Sequence, residues 1–145
     1  MSMLALAFVG LAAAVAGARS FAPDVAAALR SSKQIYVATR RRDGSLSKVV
    51  PVWFVTEGDT ILFTTGPNSH KARRIRHGSP LEVWVGKADG PHFVGHAELV
   101  QDPDLAARMG PVYSEKYWIA WLGFFRPDAE RVRSGKTTIV RVRVD

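Results

Sequence analysis

The sequence predicts a mainly β domain, in which six antiparallel strands form a small barrel with short helices, preceded by one apolar N-terminal helix. Three observations support this prediction. Runs rich in β-branched and aromatic residues recur along residues 32–145, turn residues separate them, and one short helical segment follows the third run. With 145 residues, 47% of them hydrophobic, the chain can bury one core of ordinary size.

The first 18 residues carry no charge, and Arg19 ends this apolar run. The run lies at the lower length limit for crossing a bilayer, about 17 to 25 residues, so we expect residues 1–19 to form a single-pass membrane helix. The nearest arginines and lysines all follow the run, which predicts the barrel on the cytoplasmic side of the inner membrane. A signal peptide is the alternative, because Ala16-Gly17-Ala18 has the small-x-small form of a cleavage site.

Residues 20–31 are predicted to form a short helical linker between this segment and the barrel domain at 32–145. Pro23 and Asp24 are typical of a helix start, and Val25 and Leu29 would lie on one face.

Three consecutive strands are predicted next, joined by turns at Asp43-Gly44 and Glu57-Gly58-Asp59. Gly66 and Pro67 then interrupt the β pattern, and a two-turn helix with Asn68 or Ser69 as its N-cap follows. Further along, the sequence predicts two strands, a second helix, an aromatic tract and a closing sixth strand. The predicted strands are 35–39, 48–56, 60–65, 81–86, 93–100 and 137–144, the helices are 70–76 and 102–109, and the aromatic tract is 113–125.

The net charge of +7 and the pI near 10.2 suit an anionic partner such as a phosphate, a nucleic acid or a lipid surface. The absence of cysteine excludes disulfides, thiolate metal sites and cysteine nucleophiles. His92 and His96 would lie about 13 Å apart along a strand, too far to share a metal ion, so no metal site is expected. Arg40–Arg42 is not accompanied by a nucleic-acid recognition motif, and no nucleic-acid partner is expected.

The segment from Thr64 to Arg76 is the best candidate for a phosphate site. A turn that leads into a helix directs backbone N–H groups and the positive end of the helix dipole toward one point. Ser69 would add a hydroxyl donor, and Lys71 and Arg74 lie three residues apart on one helix face, so both can reach one anion. The alternative, which the spacing leaves open, makes Ser69 only an N-cap and the basic residues only a solvated face.

The order of the motifs around this segment resembles the pyridoxamine 5'-phosphate oxidase-like, flavin-binding split barrels. The resemblance covers nearly all of residues 32–145, including Val50-Pro51-Val52-Trp53-Phe54 and the closing strand. The motifs that carry it are Phe63-Thr64-Thr65, Ser69-His70-Lys71, Ile75-Arg76 and Pro80-Leu81-Glu82-Val83.

The resemblance implies an FMN-dependent oxidoreductase and a homodimer, with Trp118 and Trp121 reaching the partner's cofactor. The C-terminal arginine and histidine that hold substrate in true pyridoxamine phosphate oxidases have no counterpart in Arg141-Val142-Arg143-Val144-Asp145, so pyridoxamine phosphate is not expected as the substrate. No catalytic residue is predicted. The implied cofactor residues are Val50, Pro51, Val52 and Trp53 along the ring, Thr64 and Thr65 toward the phosphate, and Ser69, His70 and Lys71 on it, with Arg74 added from the shared helix face.

Two alternatives stay open. One is a non-catalytic accessory subunit of a larger membrane complex, which the small residues Gly10, Ala14 and Ala18 along the apolar run would suit. The other is a related barrel that binds haem or a deazaflavin in place of FMN.

Overall fold

A computed structural model describes residues 20–117 and 126–144 of the chain. These residues form one antiparallel sheet of seven strands with four short helices around it. The strands are β1 Ile35–Thr39, β2 Val50–Val52, β3 Val55–Glu57, β4 Thr60–Thr65, β5 Leu81–Val85, β6 His92–Val100 and β7 Thr138–Val144. The helices are α1 Pro23–Ser31, α2 His70–Arg76, α3 Pro103–Lys116 and α4 Ala129–Arg133.

The strand order β2-β1-β5-β6-β7-β4-β3 requires the sheet to curl. β2 and β3 lie at opposite edges of the sheet, yet only Trp53 and Phe54 separate them along the chain. Three residue steps span at most about 11 Å, so the two edges have to approach each other. The result is a half-barrel whose edges are linked by the chain itself.

The prediction of a mainly β, antiparallel fold with short helices is confirmed, but the prediction of six strands is wrong. The run 48–56, predicted as one strand, contributes to both edges of the sheet. Val50 pairs with Val37 of β1, whereas Val55 pairs with Leu62 of β4. A continuous β-type run does not reveal this division, because local propensity is the same on both sides of the link.

The two faces of the curled sheet bury separate cores. On one face, strand residues such as Val37, Phe63 and Val83 pack with Leu29 of α1 and Ile75 of α2. On the other face a second cluster joins the sheet to α3 and α4, and its members include Leu62, Ile139, Leu105, Met109, Tyr113 and Val132. Leu62 and Phe63 are consecutive, so strand alternation assigns β4 to both cores.

The helices follow the predictions at α1 and α2 and depart from them at α3. α1 begins at Pro23, and Val25 and Leu29 are its buried residues. α3 was expected to end at Met109 but continues through Pro111 to Lys116. The buried residues Met109 and Tyr113 lie on either side of that proline, and their packing maintains the helix across it. The predicted aromatic tract therefore begins inside α3, and its residues 118–125 lie outside the described residues.

The end of α3 covers the link between the two sheet edges, which we call the seam. The Tyr117 hydroxyl accepts the Phe54 N–H at 3.1 Å and donates to the Lys33 carbonyl at 2.7 Å. Nζ of Lys116 donates to the Phe54 carbonyl at 2.9 Å. Side chains thus satisfy backbone groups that no neighbouring strand pairs at the seam.

Within residues 20–117 and 126–144, no helix is both long and apolar enough to cross a membrane. The predicted membrane helix at 1–19 lies outside these residues and stays a prediction.

Candidate functional site

A cleft of about 360 Å³ lies between α2 and the hairpin that joins β1 to β2. Its volume falls within the range of about 300 to 1,000 Å³ that is typical of small-molecule sites. One wall carries four of the predicted cofactor residues, Ser69, His70, Lys71 and Arg74, and the other wall carries a fifth, Val50. The segment predicted to bind phosphate therefore faces an open cleft.

Ser69 organises the α2 wall as the N-cap of the helix. Its Oγ accepts the Ala72 N–H at 3.1 Å and lies 3.1 Å from Oγ1 of Thr65. Because the N–H groups of His70 and Lys71 belong to the first turn of α2, they have no acceptor within the helix. The turn thus offers N–H donors beside the cleft, and Thr65 acts on it through Ser69.

Lys71 places a half-buried ammonium group in the cleft. Its Nζ lies 5.7 Å from the centre of the Phe63 ring, and burial lowers the pKa of Lys71. Neither a carboxylate nor a carbonyl of the described residues pairs with this amine. An amine that is partly withdrawn from water without a partner carries a desolvation cost that an anionic ligand would offset.

The hairpin wall is shaped by a β-bulge that the sequence analysis did not anticipate. Val50 lies opposite Val37, but the N–H of Ser47 donates to the carbonyl of Thr39 at 2.8 Å. From Val37 to Thr39 the chain advances two residues, whereas on the opposite arm of the hairpin it advances three, from Ser47 to Val50. The second arm therefore contains one extra residue, which defines the bulge. The bulge brings Ser47 and Lys48 to the cleft.

Arg41 completes the hairpin wall. Its guanidinium donates to the carbonyl of Leu46 and so lies along the hairpin. The turn of this hairpin depends on Gly44, whose φ of 85° is readily adopted by glycine. In the same turn, hydrogen bonds from Ser45 lower the pKa of the Asp43 carboxyl. The turn predicted at Asp43-Gly44 is confirmed.

The cleft as a whole concentrates positive charge. Among the described residues, Arg41, Lys48, Lys71 and Arg74 line it, and no aspartate or glutamate does. None of these four cations is ion-paired with a carboxylate of the described residues. Val37, Ala38 and Val50 complete the lining; Val37 and Ala38 are buried, so the half-buried Val50 supplies the apolar surface beside the anion donors.

The other five predicted cofactor residues do not line the cleft. Trp53 belongs to the seam, where its ring stacks on Tyr117 with a centre-to-centre distance of 4.4 Å. Strand alternation turns Pro51 and Thr64 away from the faces that carry Val50 and Phe63. The cofactor contacts assigned to all five residues, Pro51, Val52, Trp53, Thr64 and Thr65, stay predictions.

Thr39, Arg41, Ser47 and Lys48 are the residues that sequence reasoning missed. A signal was present, since the basic run Arg40–Arg42 precedes the Asp43-Gly44 turn and that turn brings the two arms of the hairpin together. The bulge, which brings Lys48 to the cleft, is not indicated by the pattern of apolar and polar residues in the sequence.

With this geometry in view, comparison with known proteins decides the family. A sequence profile described as "Pyridoxamine 5'-phosphate oxidase" matches residues 21–145. The chain belongs to the pyridoxamine 5'-phosphate oxidase family. This match confirms the resemblance drawn from the motif order. No curated protein sequence matches the chain.

Solved structures share the fold at low sequence identity. An F420 reductase is 24% identical, with a TM-score of 0.56 over 81% of this chain and 90% of the other. A conserved hypothetical protein from Mycobacterium tuberculosis is 22% identical, with a TM-score of 0.63 over 89% of this chain and 83% of the other. A haem storage protein from Vibrio cholerae is 12% identical, with a TM-score of 0.58 over 88% and 92% of the two chains. By their names, proteins of this fold differ in what they bind.

Proposed function

We propose that the chain is a flavin-binding oxidoreductase that holds FMN in the cleft between α2 and the β1–β2 hairpin. One observation carries the proposal: four cationic side chains line this cleft, without a lining carboxylate and without ion-pair partners among the described residues. These cations attract a phosphate dianion, and an aromatic ring system suits the apolar lining beside them.

The residues present fit the two ends of an FMN molecule. Ser69, Lys71 and Arg74 would hold the phosphate, since they provide a hydroxyl, an ammonium and a guanidinium along one wall. Val50, which is half-buried, would contact the apolar part of the ligand. When bound, the flavin supplies hydride or electron transfer, while the protein binds, orients and shields it.

The substrate is proposed to differ from pyridoxamine phosphate. Arg141 and Arg143, the arginines closest to the C-terminus, do not line the cleft. Both are ion-paired with Glu98 on the sheet, at 2.7 Å and 3.6 Å. They are therefore engaged in the fold of the chain rather than directed toward a ligand in the cleft.

Absorption spectroscopy and ligand titration test the proposal together. The purified protein is expected to show flavin absorption, or to acquire it with added FMN, and to bind FMN more tightly than riboflavin because riboflavin lacks the phosphate. A Soret band would indicate haem instead. Absence of any affinity for FMN would overturn the proposal.

A deazaflavin is the second candidate, favoured by the charge surplus of the cleft. An FMN phosphate carries at most two negative charges, whereas Arg41 and Lys48 add two cations on the wall opposite Lys71 and Arg74. The structural likeness to an F420 reductase agrees with a more anionic ligand. Competition between FMN and F420 for the purified protein decides between the two cofactors.

We further propose that the barrel forms a homodimer. Tyr36 and Trp84 lie side by side on β1 and β5 and are only half-buried, and Val94 on β6 is 46% exposed. An exposed apolar surface of this kind is typical of a protein contact. Sedimentation equilibrium should give a dimer, and Val94→Glu should shift it toward the monomer; a wild-type monomer would refute the proposal.

The membrane attachment is proposed from the sequence alone. The apolar run at 1–18 and the basic residues that follow it suit a single-pass anchor with a cytoplasmic barrel. Cell fractionation of the full chain and of a chain lacking residues 1–18 tests the anchor. Co-purification of another membrane protein in detergent, only with the full chain, would favour the accessory-subunit alternative.

A further inference from the structure

Thr39 is a buried polar residue at the meeting point of the two walls of the cleft. It ends β1, only 1% of it is exposed, and it lines the cleft. Its Oγ1 lies 3.4 Å from Nη1 of Arg74 on one side and 3.4 Å from Oγ of Ser47 on the other. One hydroxyl therefore connects α2 to the hairpin.

The direction of each hydrogen bond in this connection follows from chemistry. Arginine can only donate, so Oγ1 of Thr39 accepts from Arg74 and its own hydrogen points to Ser47. Ser47 Oγ also accepts the Thr39 N–H at 2.9 Å and donates its hydrogen to the Lys48 carbonyl at 3.2 Å. Each group in this network donates to the next, from Arg74 through Thr39 and Ser47 to the Lys48 carbonyl, and the Thr39 and Ser47 hydroxyls both donate their hydrogen.

This network acts on Arg74 rather than on a ligand. The Thr39 and Ser47 hydroxyls have no hydrogen left to offer an anion, because both are donated within the network. Arg74 donates one N–H group to Thr39, and no other part of the described chain accepts from its guanidinium, so four of its five N–H groups remain for a ligand. A long side chain that is held before binding loses less conformational freedom when the ligand arrives.

We propose that Thr39 is a positioning residue that holds the Arg74 guanidinium ready for the phosphate of the ligand and ties the α2 wall to the hairpin wall. The inference rests on the proposed phosphate-binding function of the cleft. Ser47 supports this role of Thr39, because it accepts the hydroxyl hydrogen that Thr39 directs away from Arg74.

The test compares wild type with Thr39→Val, Thr39→Ser and Ser47→Ala, titrated with FMN, riboflavin and inorganic phosphate. Thr39→Val keeps the shape and removes the hydroxyl. It should weaken FMN and phosphate binding by up to about tenfold, because the ligand then has to immobilise the Arg74 side chain on binding, and leave riboflavin binding unchanged. Thr39→Ser should restore the affinity, and Ser47→Ala should give a smaller loss in the same direction.

A double variant separates positioning from general damage. In an Arg74→Ala background, Thr39→Val should cause no additional loss of FMN affinity, because the residue it positions is gone. Equal losses for FMN and riboflavin, or additive losses in the double variant, would overturn the positioning role. If Thr39→Val does not fold, the half-buried Ser47→Ala carries the test alone, and unchanged FMN and phosphate affinity in it would overturn the proposal.

The outcomes for the two proposals are distinguishable. Wild-type protein that binds FMN while Thr39→Val and Ser47→Ala bind it equally well would overturn the role of Thr39 and leave the flavin proposal standing. Wild-type protein that binds phosphate but no flavin would overturn the flavin proposal, and the phosphate titrations would still decide the role of Thr39. Binding of neither ligand by wild type would overturn both.

Discussion

The cleft and the seam each contain a half-buried lysine whose pKa is lowered by burial, but they differ in what surrounds the amine. At the seam, Nζ of Lys116 lies 2.9 Å from the Phe54 carbonyl and 3.3 Å from the centre of the Phe54 ring. In the cleft, the Phe63 ring, 5.7 Å away, is the only such partner of Lys71 Nζ within residues 20–117 and 126–144. The described residues thus provide close partners for the ammonium group of Lys116, whereas that of Lys71 faces the open cleft.

This difference distinguishes a structural cation from a binding cation. Three groups compensate the charge of Lys116, namely the Phe54 carbonyl and the rings of Phe54 and Tyr117, and the lysine joins α3 to the link between β2 and β3. The charge of Lys71 is compensated by no anionic group of the described residues. Since a partly desolvated charge without a partner costs free energy, the absence of a partner identifies the place where an anionic ligand gains most.

The largest expected effect is on ligand affinity at the cleft. Lys71→Met should weaken FMN binding by about 10- to 100-fold, because a charge-assisted contact to the phosphate is lost. It should leave the thermal unfolding temperature unchanged or slightly higher, since a partly desolvated amine is removed. Titration calorimetry and thermal unfolding provide the two measurements.

Lys116→Met is the matched control for Lys71→Met, because it removes the other half-buried amine. Its FMN affinity should equal that of wild type. A loss of FMN affinity as large as that in Lys71→Met would remove the distinction between the two regions.

The next largest effect is on stability at the seam. Tyr117→Phe should lower the free energy of unfolding by about 1 to 2 kcal/mol, because the buried Phe54 N–H and the Lys33 carbonyl lose their shared partner. FMN affinity should not change. Urea unfolding followed by fluorescence measures the stability, and an unchanged midpoint would show that water replaces the hydroxyl.

A smaller effect is expected in the pH dependence of stability. Burial, assisted by the nearby Lys33, lowers the pKa of Lys116 to about 8 from its ordinary 10.5. Between these two values the unfolded chain still holds the proton that the folded chain has released, so stability rises with pH across this window. The amine is half-exposed, and water therefore limits the size of the effect.

The comparison of wild type with Lys116→Met isolates this pH effect. The stability difference between the two proteins should shift in favour of wild type from about pH 8 to pH 10.5. Burial also raises the pKa of Tyr117 to about 12, which lowers stability above about pH 10 in both proteins alike. A constant difference across the window would mean that the ammonium of Lys116 is not destabilised by burial.

The smallest effect is expected where a cation is already paired at the surface. Arg141 lies 2.7 Å from Glu98, and both side chains are about one-third exposed. Arg141→Gln should lower the free energy of unfolding by less than about 1 kcal/mol, and high salt should reduce the difference further. FMN affinity should match that of wild type, and a tenfold loss of it would place Arg141 in the binding site after all.

Much of the local structure could be predicted from the sequence, because its causes are local. Ser69, one of the two predicted N-caps, caps α2, since the capping hydroxyl and the N–H it accepts are three residues apart. β1 and β4 match their predicted ranges, because both are rich in the β-branched and aromatic residues that are enriched in strands. α3 was extended beyond its predicted end by packing around Pro111, which acts from outside the helix.

The two walls of the candidate site also differ in how far the sequence predicts them. The α2 wall was predictable because Lys71 and Arg74 share a helix face by spacing alone. The hairpin wall was not, since Lys48 reaches the cleft only through the bulge opposite Thr39. The position of Trp53 also depends on tertiary packing, which stacks its ring on Tyr117 at the seam.

By itself, the sequence determined the types of most elements, the capped helix that carries Ser69, Lys71 and Arg74, and the order of motifs that indicated the family. These features depend on interactions within a few residues of chain. Only the tertiary structure decided that the run 48–56 divides between two sheet edges and that a hairpin about 30 residues away faces α2. Those features depend on the curl of the sheet, which many distant pairings determine together, and it is this curl that brings the cations of two separate segments into one cleft.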